Sequence, residues 1–209
     1  RCDWLFPAIR CVFERPHHQR IATLLGCLDA ELLRACRCLF GGGTAMALRF
    51  GEYRESLDVD FLVSDPEGFR QLRQLLAHAR SLASIARAGA SVPGLDREVR
   101  TDQYGIRTAV KIGGTAIKFE IVREARIALD PPGAADEVCG VATLTVVDLA
   151  ASKLLANSDR GLDDSTFARD VIDLAMMAPR LPQLRQALGK AEQAYGNAVR
   201  RDLAGALDG

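Results

Sequence analysis

Between Gly41 and Phe61 the chain reads GGGTAMALRFGEYRESLDVDF, and few folds can accommodate that run. Gly41, Gly42 and Gly43 allow backbone torsions and close approaches that a side chain would forbid. Cys38 to Phe40 reads as a strand. From Thr44 through Ala45, Met46, Ala47 and Leu48 the pattern is helical, stopped by Gly51. A strand, a glycine turn and a helix start together aim free backbone N–H groups at an anion. Thr44 is placed to cap that helix or to give its hydroxyl to a phosphate. For the glycines alone, a plain tight turn is the alternative.

The end of the same segment adds charge. Successive side chains on a strand point to opposite faces. Leu57, Val59 and Phe61 are therefore predicted to enter a core while Asp58 and Asp60 project together from the other face. Neighbouring carboxylates repel unless something positive lies between them, and a divalent metal is the usual solution. A phosphate cradle beside a metal site points to nucleotide chemistry.

The stretch from Arg97 to Arg126 reads as strands around two turns, Tyr104-Gly105 and Gly113-Gly114. The second is a hairpin signal with Thr108 to Ile112 and Thr115 to Val122 as its arms. Ile117, Phe119 and Ile121 share one face of the latter arm; Lys118 and Glu120 share the other. If this strand neighbours the Asp58/Asp60 strand, Glu120 becomes a third acid, as metal ligand or general base, and Lys118 neutralises phosphate charge. A solvated face with cross-strand ion pairs is the competing reading.

After the Pro131-Pro132-Gly133 break the chain turns helical. Thr145 to Asp148 has capping-box spacing, with Asp in place of the usual Glu or Gln. In the helix that follows, Val146, Leu149, Lys153 and Ala156 fall on one stripe, so Lys153 interrupts an apolar face. Its ammonium either snorkels to water or is held to bind a phosphate. The next helix, Phe167 to Met177, ends before Pro179 and puts Asp170 and Asp173 on one side; Arg169 is spaced to pair with Asp173 on the surface. Two more helices, Leu181 to Tyr195 and Asn197 to Leu207, read as amphipathic cover.

With 209 residues, 48% of them hydrophobic, the chain can bury one sizeable core or two small ones. The 27 basic and 27 acidic residues cancel, so a nucleic-acid partner would need a local patch. The best candidate is the strand region carrying Arg97, Arg100, Arg107, Lys111, Lys118, Arg123 and Arg126, diluted by Asp96, Glu98, Asp102 and Glu124. The six cysteines have neither zinc spacing nor the density of a disulfide scaffold. His17-His18, beside Pro16, reads as a surface loop pair, and Arg80 to Ala90 with Ser91 to Gly94 as a loop or insertion. No apolar run is long enough to span a membrane and no signal peptide is evident, so a cytoplasmic location is expected. The chain opens on Arg1 rather than Met, which leaves room for residues upstream.

In sequence order, GGTAMALRFGEYRESLDVDF, KFE, DLAASKLLANSDR and RDVIDL resemble the motifs of the AbiEii/AbiGii nucleotidyltransferase-like toxins, within the polymerase-β-type nucleotidyltransferase superfamily. The resemblance runs from Gly41 to Leu174. It implies an α+β fold, a mixed β-sheet flanked by helices and followed by a C-terminal helical bundle. It also implies a nucleotidyltransferase core over 1–140 and a helical domain over 141–209 that completes the active site. By that similarity Gly42, Gly43 and Thr44 hold the triphosphate with help from Ser56, and Asp58 and Asp60 hold Mg²⁺ or Mn²⁺. Glu120 is the third acid, Lys153 the helical lysine, Asp170 or Asp173 the final acid, and Arg54 the arginine before the paired acids. The implied reaction moves a nucleoside monophosphate from an NTP such as ATP to an acceptor hydroxyl, with tRNA as the acceptor and an antitoxin as partner. Two alternatives stand beside it: transfer to a small molecule or protein, and an inactive relative that only binds nucleotide.

Overall fold

The computed structural model describes residues 12–160 and 167–208. Helix α1 (Pro16–Cys27) begins with a proline, whose fixed φ and missing N–H suit a first helical position. After α2 (Ala30–Ala35), strand β1 (Cys38–Gly41) enters α3 (Gly42–Arg49) directly. Strand β2 (Val59–Val63) leads to α4 (Pro66–Ala79), which Asp65 caps by accepting the Gly68 N–H at 2.8 Å. Strands β3 (Leu95–Thr101), β4 (Gly105–Ile112) and β5 (Thr115–Arg123) follow, then the short hairpin β6 (Glu137–Val138) and β7 (Val141–Ala142). The chain finishes with α5 (Val146–Arg160), α6 (Phe167–Met177), α7 (Leu181–Tyr195) and α8 (Ala198–Asp208).

Five strands form one mixed sheet in the order β1-β2-β5-β4-β3. The β4–β5 hairpin turns at Gly113 and Gly114, whose φ values of 56° and 82° are what a two-residue primed turn requires. Strand β2 pairs antiparallel with β1 but parallel with β5, and this register sets Asp60 beside Glu120. Alternation along β2 buries Val59, Phe61 and Val63 completely and leaves Asp60 and Leu62 half-buried. Beneath the sheet, Phe40, Phe61 and Phe119 stack across β1, β2 and β5 with ring centroids 5.5 and 5.6 Å apart. The terminal helices wrap α5, which packs against α6, α7 and α8 and also meets α3.

Three expectations are corrected. Leu57 is 52% exposed, because regular pairing, and with it the in–out alternation, starts only at Val59. His17 and His18 are no surface pair: they occupy the first turn of α1 and are buried against the Glu52–Leu57 segment. The stretch after Arg80 is not simply a loose loop, since a 3-10 turn over Leu82–Ile85 plugs the core with Leu82 and Ile85. Of the described cysteines, Cys27, Cys36 and Cys38 are free thiols and Cys139 is disulfide-bonded. Arg1, Cys2 and Cys11 lie outside the described residues. No described helix is long and apolar enough to cross a membrane.

Helix α4 approaches the chain before β1 so closely that a Cβ at Gly68 would lie 2.1 Å from the Cys36 carbonyl oxygen. Gly68→Ala is expected to cost about 3 kcal/mol by overpacking, read as a lower urea midpoint with an unchanged slope.

Candidate active site

The β1–α3 junction brings backbone and carboxylate into contact. Gly41 pairs with Asp60 across the β1–β2 ladder. Gly42 takes φ +67°, and a Cβ there would meet Asp60 Oδ2 at 2.7 Å. Any other residue would face both the strained left-handed backbone and the clash. Helix α3 thus starts two residues earlier than the sequence pattern predicts, with its first turn at the acid.

Asp60 is strongly perturbed by its surroundings. Burial, then the Asp58 charge, then the Glu120 charge push its pKa up to about 6. Three acids therefore converge electrostatically. Glu120, directly opposite Asp60, turns its carboxylate to Lys118 at 2.8 Å and Arg107 at 3.4 Å. Burial works against the Lys118 ammonium, yet Glu120, Asp58 and Asp60 together raise its pKa. Among the described residues no three His, Cys, Asp or Glu side chains are close enough together to hold one ion. The donor pair nearest the glycine turn is Asp58 with Asp60, and Glu120 lies alongside within an ionic group of its own.

Thr44 and Ser56 bond to each other and to the backbone next to the acids. Both are buried, their hydroxyls are 2.7 Å apart, and Thr44 also donates to the Asp58 carbonyl at 2.5 Å. The pair fastens the backbone that carries Asp58 onto α3. From the other side His18 Nε2 accepts the Ser56 N–H at 3.1 Å while its Nδ1 meets Glu52 at 2.6 Å. His17 Nε2 bonds the Leu57 carbonyl at 2.9 Å. The approach to Asp58 is thus held by two histidines that sequence reasoning placed on the surface. Pro16, a helix-start signal, was the clue to their position.

Lys153 and the two later aspartates form a buried ionic group. The Lys153 ammonium lies 2.9 Å from Asp170 and 2.6 Å from Asp173, all three side chains being nearly inaccessible. Asp173 also receives two hydrogen bonds from Arg54, at 2.6 and 2.8 Å, and one from the Tyr53 hydroxyl at 2.7 Å. Arg160 binds the second oxygen of Asp170. The surface Arg169–Asp173 pair expected from spacing is replaced: Asp173 faces inward and Arg169 is exposed. Tyr53 joins this group without any motif or spacing that marks it in the sequence. Burial alone would raise the Asp173 pKa, but Arg54 and Lys153 outweigh it and hold it below the ordinary value.

Arg54 also presses on the glycine turn, where a Cβ at Gly43 would come within 2.2 Å of its guanidinium. Above the turn opens a cavity of about 290 Å³. Gly42, Gly43 and Asp60 form one end, Leu62 and Val122 a wall from the sheet, and Leu149, Ser152, Lys153 and Ala156 a wall from α5. Neither Thr44 nor Ser56 lines it. With Glu124, Arg126 and Arg160 also on its lining, the cavity combines backbone amides, carboxylates and three cationic side chains with apolar wall, a composition suited to a small phosphorylated ligand.

Residues 24–208 match the family described as nucleotidyl transferase AbiEii toxin, Type IV TA system. The chain belongs to this family of nucleotidyltransferase toxins. Among solved structures it is similar to JHP933 from Helicobacter pylori, at 15% identity over 92% of each chain with a TM-score of 0.43. A second H. pylori structure, described as a candidate nucleotidyltransferase, gives 14% identity over 92% of this chain and 95% of that one, with a TM-score of 0.39. No curated protein sequence matches significantly.

Removing one member of a buried ion group strands the others. Lys153→Met is expected to cost about 3–5 kcal/mol, measured by urea unfolding. Because the Asp173 pKa is lowered on folding, its stabilisation is full above the unfolded carboxylate range and is lost as pH falls through the folded value. The stability gap between wild type and Asp173→Asn should therefore narrow on acidification, in urea midpoints taken from about pH 7 to about pH 3.

Proposed function

We propose that this protein transfers a nucleoside monophosphate from an NTP to an acceptor hydroxyl, with tRNA as the acceptor and a cognate antitoxin as its antagonist. The observation that carries this reading is the contact between the Gly42 backbone and Asp60, at the mouth of a cavity and in register with Glu120.

Asp58 and Asp60 fit a divalent cation, Mg²⁺ or Mn²⁺. Burial first and the Asp58 charge second raise the Asp60 pKa, and a cation between the two carboxylates relieves both. When bound, such an ion neutralises phosphate charge and acidifies an attacking hydroxyl. The amides of Gly42 and Gly43, at the positive end of α3, receive phosphate oxygens. Lys118 adds positive charge beside the carboxylates. The acceptor oxygen forms a bond to the α-phosphorus, the bond to the β-phosphate oxygen breaks, and pyrophosphate leaves. The hydroxyl proton passes to Glu120, whose Lys118 and Arg107 partners hold the carboxylate next to Asp60. Lys153 lines the cavity, and Arg54, Asp170 and Asp173 behind it position the turn. Much of the rate enhancement then comes from orientation and from fixed charge.

The test is incubation of the purified protein with each labelled NTP, Mg²⁺ and total cell extract, followed by separation into RNA, protein and small-molecule fractions. Label is expected in RNA. Label confined to protein or small molecules would replace the acceptor, and no label in any fraction would remove the activity itself. Asp58→Ala and Asp60→Ala are expected to abolish transfer while keeping a wild-type far-UV CD spectrum. Glu120→Gln should lower the rate at saturating NTP by about 10²-fold or more, the scale of a lost general base.

A further inference from the structure

The sheet separates charges that are mixed in the sequence. Residues directly paired on neighbouring strands present their side chains on one face. One such row runs Gly41, Asp60, Glu120, Arg107, Arg100 across all five strands. A second sets Lys118 beside Ala109 and Ala109 beside Arg97, and Lys111 lies further along β4 on the same side. On this face Arg97, Arg100, Lys111 and Lys118 are exposed. The opposite face carries Ile117, Phe119 and Ile121, all fully buried.

Of the acids that dilute this region in the sequence, Glu98 and Glu124 are drawn away from the face, and Asp102 is spent at its edge on the turn and on Arg107. Glu98 lines a cavity on the α4 side with Ala77 and Arg80. Glu124 is buried and held by Arg126. Asp102 accepts the N–H groups of Tyr104 and Gly105 at the β3–β4 turn and binds Arg107. Asp96 falls in the register shift between Leu95 and Arg97. Arg97, Arg100 and Lys111 are left without a carboxylate partner among the described residues.

We propose that the open face of β3, β4 and β5 is the acceptor-binding surface, a basic ramp that holds the phosphate backbone of a nucleic-acid strand and delivers its terminal hydroxyl to Asp60 and Glu120. The proposal rests on the nucleotidyltransferase reading above and assigns its acceptor side to named residues. The ramp crosses three strand spacings from Asp60 to Arg100, about 14 Å, or several steps along a nucleic-acid strand rising about 3.4 Å per nucleotide. Beyond Asp60, the row's Glu120, Arg107 and Arg100 do not line the cavity over the glycines, which leaves the outer strands free for an acceptor. Tyr104, 66% exposed at the β3–β4 turn, adds an aromatic surface of the kind on which bases stack. Guanidinium groups and an aromatic ring together favour nucleic acid over an acidic protein.

The experiment is filter binding of deacylated bulk tRNA to the full chain without NTP, over a series of salt concentrations. The triple variant R97A/R100A/K111A, all exposed positions outside the catalytic group, is compared with wild type. A control, R185A/R201A, removes exposed arginines from α7 and α8. Expected is tRNA binding by wild type that weakens about tenfold or more in the triple variant, with the salt slope reduced by about two to three. The control should match wild type, and the KM for NTP should be unchanged in both. An unchanged slope in the triple variant, an equal loss in the control, or tight binding by wild type of an acidic protein but not tRNA would each overturn the proposal. The two readings fail separately. Binding that depends on the ramp with no nucleotide transfer removes the activity and keeps the surface; RNA labelling by the triple variant with wild-type acceptor KM does the reverse.

Discussion

A carboxylate with no access to water cannot stay ionised unless cations surround it, and Asp173 has Arg54 on one side and Lys153 on the other. Those two partners come from different parts of the chain. Arg54 belongs to the segment between α3 and β2, and Lys153 to the middle of α5. Asp173 therefore fixes the helical region against the glycine turn at the point where the cavity opens. Asp170 and Arg160 extend the same group outward. If this cluster loosened, α5 would lose its position relative to Gly43, and the wall formed by Leu149, Ser152 and Ala156 would move with it.

Charge is layered around the site. Acids converge at Asp58, Asp60 and Glu120, and positive groups flank them on both sides, Arg54 and Lys153 beside the turn and Lys118 and Arg107 on the sheet. A chain with no net charge thereby acquires strong local fields of both signs. The arrangement suits a ligand that brings phosphate to one side and a polyanionic strand to the other.

Much of this was legible because it rests on short-range rules. A helix following the glycine turn, Asp60 on its strand and a Gly-Gly hairpin each follow from local geometry, although α3 already starts at Gly42 and Asp58 precedes the strand on which the sequence pattern places it. Glu120 was legible through the alternation of β5, although only the parallel register could show that it lies opposite Asp60. What escaped was long-range. Lys153 reads as an interruption of an apolar stripe, and nothing in its own helix reveals two aspartates waiting inside α6. Tyr53, His18 and Glu52 gain their roles from partners tens of residues away. Leu57 failed for a local reason: alternation was extended past the true start of the strand.

The outer strands of the sheet have a consequence for how this protein can meet others. On one side the free edge of β1 is occupied, since Leu144 donates to the Phe40 carbonyl at 3.0 Å and Thr143 bridges Phe40. On the other, β3 is irregular, with two register shifts and a run of charged side chains. Neither border presents a smooth, regular ladder, so lengthening of the sheet by a foreign strand is disfavoured at both ends. What these borders offer a neighbour is therefore side-chain chemistry more than backbone pairing.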